Sequence, residues 1–328
     1  MQIYLLLTQN CNLSCSFCIR GKSHDIDMDI NTWKTILEKN DFSKYQLLLT
    51  GGEPTLYNKF NEVIDISYNK FKHISINTNG INDKWIDNLK HKDIHVQISL
   101  DGTKDVHNQL RLGNNYDIFD KIEKTIYKLE DIDIKYNIST TVSKDNYDNI
   151  KHLMQYITKF KKMKYWKLSP QLPFGCGSFE NAIDVDKWNE LVEYLLDNSN
   201  VKLNVKKLFC FELLDKFIDE NKDKVINISS NCGSAKTKFY IYPDFTVYPC
   251  TCLTDFPIGN LKLNTLEEIK EFDISKIFSN YKVLDDSDCS KCKYLKLCNG
   301  GCIGMSYHYF KKIGMGDYRC PLINKTKR

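Results

Sequence analysis

The sequence predicts an α/β protein, a partial (β/α)6 TIM-type barrel followed by a small, cysteine-rich α+β domain. Three observations predict it. The first half alternates short apolar or β-branched runs with amphipathic stretches; the segments just after those runs carry glycine, carboxylate and thiol clusters; and from about Ile226 the chain turns cysteine-rich and turn-rich. Regular strand–helix alternation argues for a parallel sheet with outer helices. Six strands suit a partial barrel, whose functional residues gather in the loops after the strands.

The predicted strands cover residues 3–7, 46–49, 73–77, 95–100, 135–142 and 165–168. Between them, residues 31–39, 59–68, 84–89, 118–130 and 147–160 have the amphipathic pattern of helices. The alternation stops after Pro170-Gln-Leu-Pro-Phe-Gly175. Residues 186–197 and 205–220 read as helices, and a hairpin is expected from 239–242 and 246–248 around Pro243-Asp244. The domain boundary falls near 225, giving a barrel with connecting helices over 1–225 and the cysteine-rich domain over 226–328. No internal repeat or low-complexity segment interrupts this order.

Composition narrows the function classes. The chain has 328 residues, of which 42% are hydrophobic and 27% charged, with a net charge of +4. No basic run interleaved with aromatics points to nucleic acid. The basic stretch from Lys159 to Lys164 reads as the solvated end of a helix. No apolar run is long enough for a membrane span, and no secretion signal is visible, so a cytoplasmic protein is expected. In that compartment the 13 cysteines are metal ligands or catalytic groups rather than disulfides.

Three of them stand in Thr8-Gln-Asn-Cys-Asn-Leu-Ser-Cys-Ser-Phe-Cys18, directly after the first predicted strand. Cys11, Cys15 and Cys18 in such a loop give three thiolates converging on one point, and three thiolates on a four-iron cluster leave one iron open. The arrangement resembles the cluster loop of the radical S-adenosylmethionine (SAM) enzymes. In that family the open iron chelates the amino and carboxylate groups of SAM, which is cleaved reductively to a 5′-deoxyadenosyl radical.

The resemblance extends along the barrel. Phe17 matches an aromatic that packs near the adenine, although its position also suits an ordinary core residue. Gly51-Gly52-Glu53-Pro54 follows the second strand; taken alone it reads as a turn. The glycines permit close backbone approach to a ligand, and the carboxylate can accept from an ammonium. In the family this segment holds the amino group of SAM, so Glu53 is expected to serve SAM rather than the fold. Ser99 and Asp101 alternate onto one side at the end of the fourth strand, suiting the ribose or carboxylate of SAM; Asp101 also has the alternative of shaping the turn at Gly102. Asn77, or Asn79 after it, is a further candidate. Arg111 suits the SAM carboxylate or a surface ion pair with Asp105 or Asp117.

The C-terminal part carries Cys232, Cys250, Cys289, Cys292, Cys298, Cys302 and Cys320. Their spacing resembles the seven-cysteine SPASM domain, which follows the barrel in radical SAM enzymes that modify peptides and proteins. Tyr242-Pro-Asp-Phe-Thr-Val-Tyr-Pro-Cys250 and Ile258-Gly-Asn260 resemble that domain's hairpin and following turn. One departure is Phe245, where a glycine is usual, so a different hairpin turn is expected. The resemblance implies two auxiliary [4Fe–4S] clusters, three in all: Cys289, Cys292, Cys298 and Cys320 on one, and Cys232, Cys250 and Cys302 on the other. Cys252, Cys210 or nothing completes the second. Zinc is the alternative metal. Cys210 otherwise reads as a small buried hydrophobe, and Cys176 is placed to face the active site.

The resemblance implies an enzyme that takes hydrogen from a ribosomally made peptide and forms a crosslink or another modification. Its expected partners are the peptide or protein substrate, an electron donor such as flavodoxin or ferredoxin, and a separate leader-binding protein or another surface for the leader. The rival within the class is an anaerobic sulfatase-maturating enzyme. Those enzymes typically carry an aspartate after the second SPASM cysteine, where this chain has Thr251. A peptide epimerase, with Cys176 or Cys252 as hydrogen donor, is a further alternative. Outside the class stands an iron–sulfur scaffold or electron carrier, against which the ammonium-binding Gly-Gly-Glu segment argues.

Overall fold

Each of the six expected strands forms, and they pair in chain order. The computed structural model describes residues 1–113, 117–206, 225–229 and 233–324. The strands are β1 (Gln2–Leu6), β2 (Leu13–Cys15), β3 (Gln46–Thr50), β4 (His73–Thr78), β5 (Ile94–Ser99), β6 (Arg111–Gly113), β7 (Tyr136–Val142), β8 (Met163–Pro170), β9 (Leu203–Lys206), β10 (Val225–Ser229), β11 (Lys238–Ile241), β12 (Thr246–Tyr248) and β13 (Gly259–Asn260). One eleven-stranded sheet has the order β10-β9-β8-β7-β5-β4-β3-β1-β11-β12-β13, while β2 and β6 form a separate pair. Neighbours from β10 to β11 run parallel, and only the β11–β12–β13 edge is antiparallel. Sequential order in a parallel sheet whose two edge strands do not meet is the order of an open (β/α) barrel.

Alternation along the strands separates two environments. On β4, Ile74, Ile76 and Thr78 are buried while His73, Ser75 and Asn77 remain half-buried. The buried set joins one core with the apolar faces of α1 (Ile30–Lys39), α2 (Phe60–Ser67), α4 (Ile118–Asp131), α5 (Ile150–Ile157) and α6 (Val185–Asn198). Each fully buried Leu or Ile there contributes about 1.5–3 kcal/mol relative to exposure. Asp29 and Asp117 cap α1 and α4 by accepting the amides of Thr32 and Asp120, which fixes where these helices begin.

Several expectations change. The 84–89 helix is a 3-10 turn at Ile86–Leu89, and the 147–160 stretch starts as a 3-10 turn before α5. The expected helix from 205 begins instead inside β9, whose Leu203 and Val205 are buried and alternate with half-buried Asn204 and Lys206. The apolar spacing there has period two, and the remainder of that expected helix lies outside the described residues. A helix α3 (Lys104–Leu110), the β2–β6 pair, β9 and β10 were not anticipated.

The sheet does not stop at the expected boundary. β11 pairs in parallel with β1, Gln2 to Leu5 opposite Lys238 to Ile241, and Tyr4 stacks on Tyr240 with ring centroids 4.4 Å apart. At the hairpin, Phe245 adopts φ of 67°, so the turn keeps the left-handed backbone that glycine would supply. Phe245 is fully buried, and its packing offsets a strain of about 1–2 kcal/mol. The turn is thus built around a left-handed residue whose aromatic side chain is buried.

Candidate active site

A cavity of about 560 Å³ opens at the C-terminal ends of β3, β4 and β5. Cys11, Cys15, Cys18, Gly52, Glu53, Asn77, Ser99, Arg111 and Cys176 all line it. Phe17 lines a smaller hollow of about 280 Å³ that shares Cys15, Cys18 and Arg111 with the first. Gly51 and Asp101 line neither.

The cysteine loop is held by backbone contacts on three sides. Its Cys15 belongs to β2, and the β2–β6 pair sets Cys15 opposite Arg111. The Gly52 amide donates to Thr8 O and the Glu53 amide to Asn10 O, each at 2.8 Å. A Cβ on Gly51 would lie 2.4 Å from Thr8 O, and one on Gly52 would lie 2.3 Å from Asn10 O. What these glycines admit is thus the cysteine loop's own backbone. From the far side the Cys176 amide donates to Cys18 O at 2.8 Å, and Gly175, at φ of 64°, leaves no room for a Cβ against that same carbonyl.

Burial pushes the Cys11 thiol up to about 12, with Glu53, Cys15 and Cys18 adding negative charge nearby. Burial raises the Cys15 thiol too, while Arg111 acts in the opposite direction. Cys11 and Cys15, whose ionisation burial opposes, stand on one cavity with Cys18, and the three sulfurs form a donor set that suits the positive charge of iron. Among the described residues, no three His, Cys, Asp or Glu side chains meet closely enough to chelate a single ion.

Glu53 is 1% exposed. Its Oε1 accepts from Thr78 Oγ1 at 2.6 Å and from Thr55 Oγ1 at 2.7 Å and Thr55 N at 3.2 Å, and its Oε2 accepts from Asn79 N at 2.6 Å. Burial pushes its carboxyl above the ordinary range, and these donors pull it back. The carboxylate therefore knits the ends of β3 and β4 together, a structural task beyond the expected one. Thr78 went unread in the sequence; its position at the end of an alternating strand, before Asn79-Gly80, was the available signal. Asn79 is buried and donates to Asn12 Oδ1 at 2.8 Å.

Asp101 is fully buried behind the cavity. Its Oδ1 accepts from Thr141 N at 2.7 Å and its Oδ2 from Arg111 Nε at 2.5 Å. Of the two readings of Asp101, the placement favours organisation of the local backbone over contact with a ligand. Arg111 pairs with Asp101 rather than with Asp105 or Asp117, and Asp117 pairs with Lys104. The Arg111 guanidinium stands 5.5 Å over the Phe17 ring. His107, held neutral because burial lowers its pKa, accepts the Asp101 amide at Nδ1.

In the C-terminal part, burial pushes the Cys289 thiol up to about 12, followed by the charges of Cys320, Cys298 and Cys292. These four thiols are neighbours. A second group forms as Cys252 and Cys302 pack together with Met305 and Phe174, and Cys250 lies against them. The Cys252 amide approaches Cys250 Sγ at 3.4 Å, and Leu253 N donates to Cys250 O at 3.1 Å. Cys250 and Cys252 therefore approach through a tight turn, not along the extended segment that period-two spacing would require. Cys232 and Cys210 lie outside the described residues.

An open (β/α) barrel with a three-thiol loop at its C-terminal face, followed by two further thiol groups, defines a class of iron–sulfur proteins. Comparison with protein families matches residues 5–157 to the Radical SAM superfamily and residues 232–293 to the iron–sulfur cluster-binding SPASM domain. The chain thus carries a Radical SAM domain and a SPASM domain, which imply SAM and [4Fe–4S] clusters as its cofactors. It is 28% identical to the cysteine-type anaerobic sulfatase-maturating enzyme of Clostridium novyi, over 90% of this chain and 85% of that one. It is 26% identical to the sporulation killing factor maturation protein SkfB of Bacillus subtilis, over 81% of this chain and 63% of that one. In fold it is similar to native anSMEcpe with bound AdoMet and Cp18Cys peptide, with a TM-score of 0.76 at 22% identity over 98% of this chain and 94% of that one. It is also similar to Streptococcus suis SuiB bound to precursor peptide SuiA, with a TM-score of 0.75 at 19% identity over 98% and 75%. Among the described residues no helix is long and apolar enough to cross a membrane.

Proposed function

We propose that this protein is a cytoplasmic radical SAM enzyme that modifies a ribosomally synthesised peptide. The observation that carries the reading is the meeting of Cys11, Cys15, Cys18, Glu53, Asn77, Ser99 and Arg111 on one cavity. The likeness to SkfB, a maturation protein, favours a peptide as the substrate.

When bound, the barrel cluster and SAM would supply radical chemistry, the removal of a hydrogen atom from the peptide. Cys11, Cys15 and Cys18 hold that cluster as thiolates. Glu53 would accept from the ammonium of SAM, and Asn77 and Ser99 would orient its polar groups. Arg111, fixed by Asp101 and lying over Phe17, would offer its remaining N–H groups to the SAM carboxylate. Cys289, Cys292, Cys298 and Cys320 would hold one auxiliary cluster, and Cys232, Cys250, Cys252 and Cys302 the other. The buried walls exclude water from the reacting atoms. The barrel (1–225) and the cysteine-rich domain (226–328) act as two functional halves, with electrons from an external flavodoxin or ferredoxin and leader recognition by a separate protein.

The C. novyi relative favours sulfatase maturation as a second reading, against which Thr251 stands where an aspartate base is usual. Cys176 on the cavity wall favours hydrogen return to a peptide carbon, as in an epimerase. The test is anaerobic reconstitution followed by reduction with SAM. Three [4Fe–4S] clusters and release of 5′-deoxyadenosine are expected. Replacing Cys11, Cys15 and Cys18 by alanine should abolish the release and leave the auxiliary clusters visible. Zinc with little iron would overturn the reading.

A further inference from the structure

Arg20 follows the cysteine loop and is half-buried in the wall of the main cavity. Its guanidinium reaches neutral oxygens: Nη1 donates to Thr251 Oγ1 at 3.2 Å and Nη2 to Thr50 Oγ1 at 3.5 Å. The Thr251 hydroxyl is also 3.4 Å from Tyr242 Oη. Among the described residues no carboxylate pairs with Arg20, whereas Arg111 across the same cavity is matched by Asp101. The carboxylate on the cavity wall, Glu53, has both oxygens engaged by Thr55, Thr78 and Asn79.

A guanidinium partly withdrawn from water and given only hydroxyl acceptors is under-compensated. Its planar fork is shaped for the two oxygens of a carboxylate. Lys22, exposed on the same wall, adds to the positive field. Position supplies the second half of the inference. Thr50 directly precedes the Gly51-Gly52-Glu53 segment, and Thr251 stands between Cys250 and Cys252. Arg20 therefore bridges the barrel cavity and the turn carrying the second thiol group, on the path between them.

We infer that Arg20 receives a carboxylate of the peptide substrate, from an acidic side chain or the peptide's C-terminus, and so sets which residue lies in the cavity. This rests on the peptide-modifying reading. A carboxylate bound there converts two long hydrogen bonds into a charge-assisted pair, and the neutral Thr251 leaves room for it without repulsion.

The test measures equilibrium dialysis of three probes against the reconstituted, SAM-loaded protein: N-acetyl-Gly-Asp-Gly-amide, N-acetyl-Gly-Asn-Gly-amide, and N-acetyl-Gly-Asn-Gly with a free C-terminus. One carboxylate probe should bind about tenfold more tightly than the neutral one, and which one identifies the source. The preference should vanish in Arg20→Gln and be partly kept in Arg20→Lys, with SAM affinity and iron content unchanged in both. Equal binding of all three probes to the wild type overturns the inference. So does about a tenfold loss of SAM affinity in Arg20→Gln, which would assign Arg20 to SAM itself. If the wild type releases no 5′-deoxyadenosine, the underlying reading falls and takes this inference with it; release without carboxylate preference overturns the inference alone.

Discussion

Arg111 Nε and Asp101 Oδ2 meet at 2.5 Å, in a pair where the aspartate side chain is fully buried and the arginine side chain 11% exposed. The pairing turns a residue of β6 toward Cys15 and Phe17, and with the Thr141 amide it engages both oxygens of the buried Asp101. A buried pair of this kind is more informative about orientation than about net stability. Its loss is nonetheless costly, because the remaining charge stays in place.

Asp101→Ala is accordingly expected to destabilise the fold by about 3–5 kcal/mol. Adding Arg111→Met should recover part of that loss, since the two residues act as a unit. Thermal melts of both variants, prepared without oxygen, check this. An unchanged melting temperature in Asp101→Ala would contradict the structural role given to it.

Glu53→Gln should act on both the fold and SAM. The amide keeps one acceptor oxygen and turns a donor NH₂ toward Thr78, Thr55 or the Asn79 amide, leaving at least one donor unmatched at about 1–3 kcal/mol. A lower melting temperature together with weaker SAM binding is expected. Weaker SAM binding at constant melting temperature would mean that the hydrogen bonds around Glu53 rearrange at no cost.

Cys252→Ala probes the second thiol group. Cys252 packs beside Cys302 with Cys250 against them, as the proposed ligation of one auxiliary cluster by these thiols requires. The variant should show an altered resonance spectrum for one auxiliary cluster, with SAM cleavage retained. An unaltered spectrum would make Cys252 a hydrogen donor or a bystander.

Lys167 gives a pH prediction. Its Nζ donates to Gln97 Oε1 at 2.9 Å inside the barrel, and burial, then Lys238, lowers its pKa from 10.5 to about 8. Between pH 8 and 10.5 the unfolded chain binds more protons here than the folded one, so this residue's contribution to stability rises with pH through that window. Lys167→Met should melt higher than the wild type at pH 7, and the gap should shrink toward pH 10. A gap independent of pH would show that the amine is not desolvated.

Much of this arrangement was legible because it is local. Thiol spacing within one loop, and alternation within one strand, are short-range properties that chemistry constrains. The pairing of Cys15 with Arg111 was not legible, since β2 and β6 are three residues each and join only through the folded barrel. Phe245 was not legible for the opposite reason: its residue type argues against the left-handed backbone that it adopts. Arg20 went unremarked because nothing in a sequence distinguishes an arginine facing hydroxyls from one facing a carboxylate.

The parallel pairing of β1 with β11 has a consequence for how the protein is made. During synthesis the first strand emerges early, yet the neighbour that covers one of its sides, Lys238–Ile241, arrives only when most of the chain has left the ribosome. Until then that side is a row of open amides and carbonyls, ready to template any extended segment nearby. A chain cut after the barrel would carry this raw edge permanently. Attempts to produce the barrel alone should yield aggregates, and β11 acts as a seal on β1.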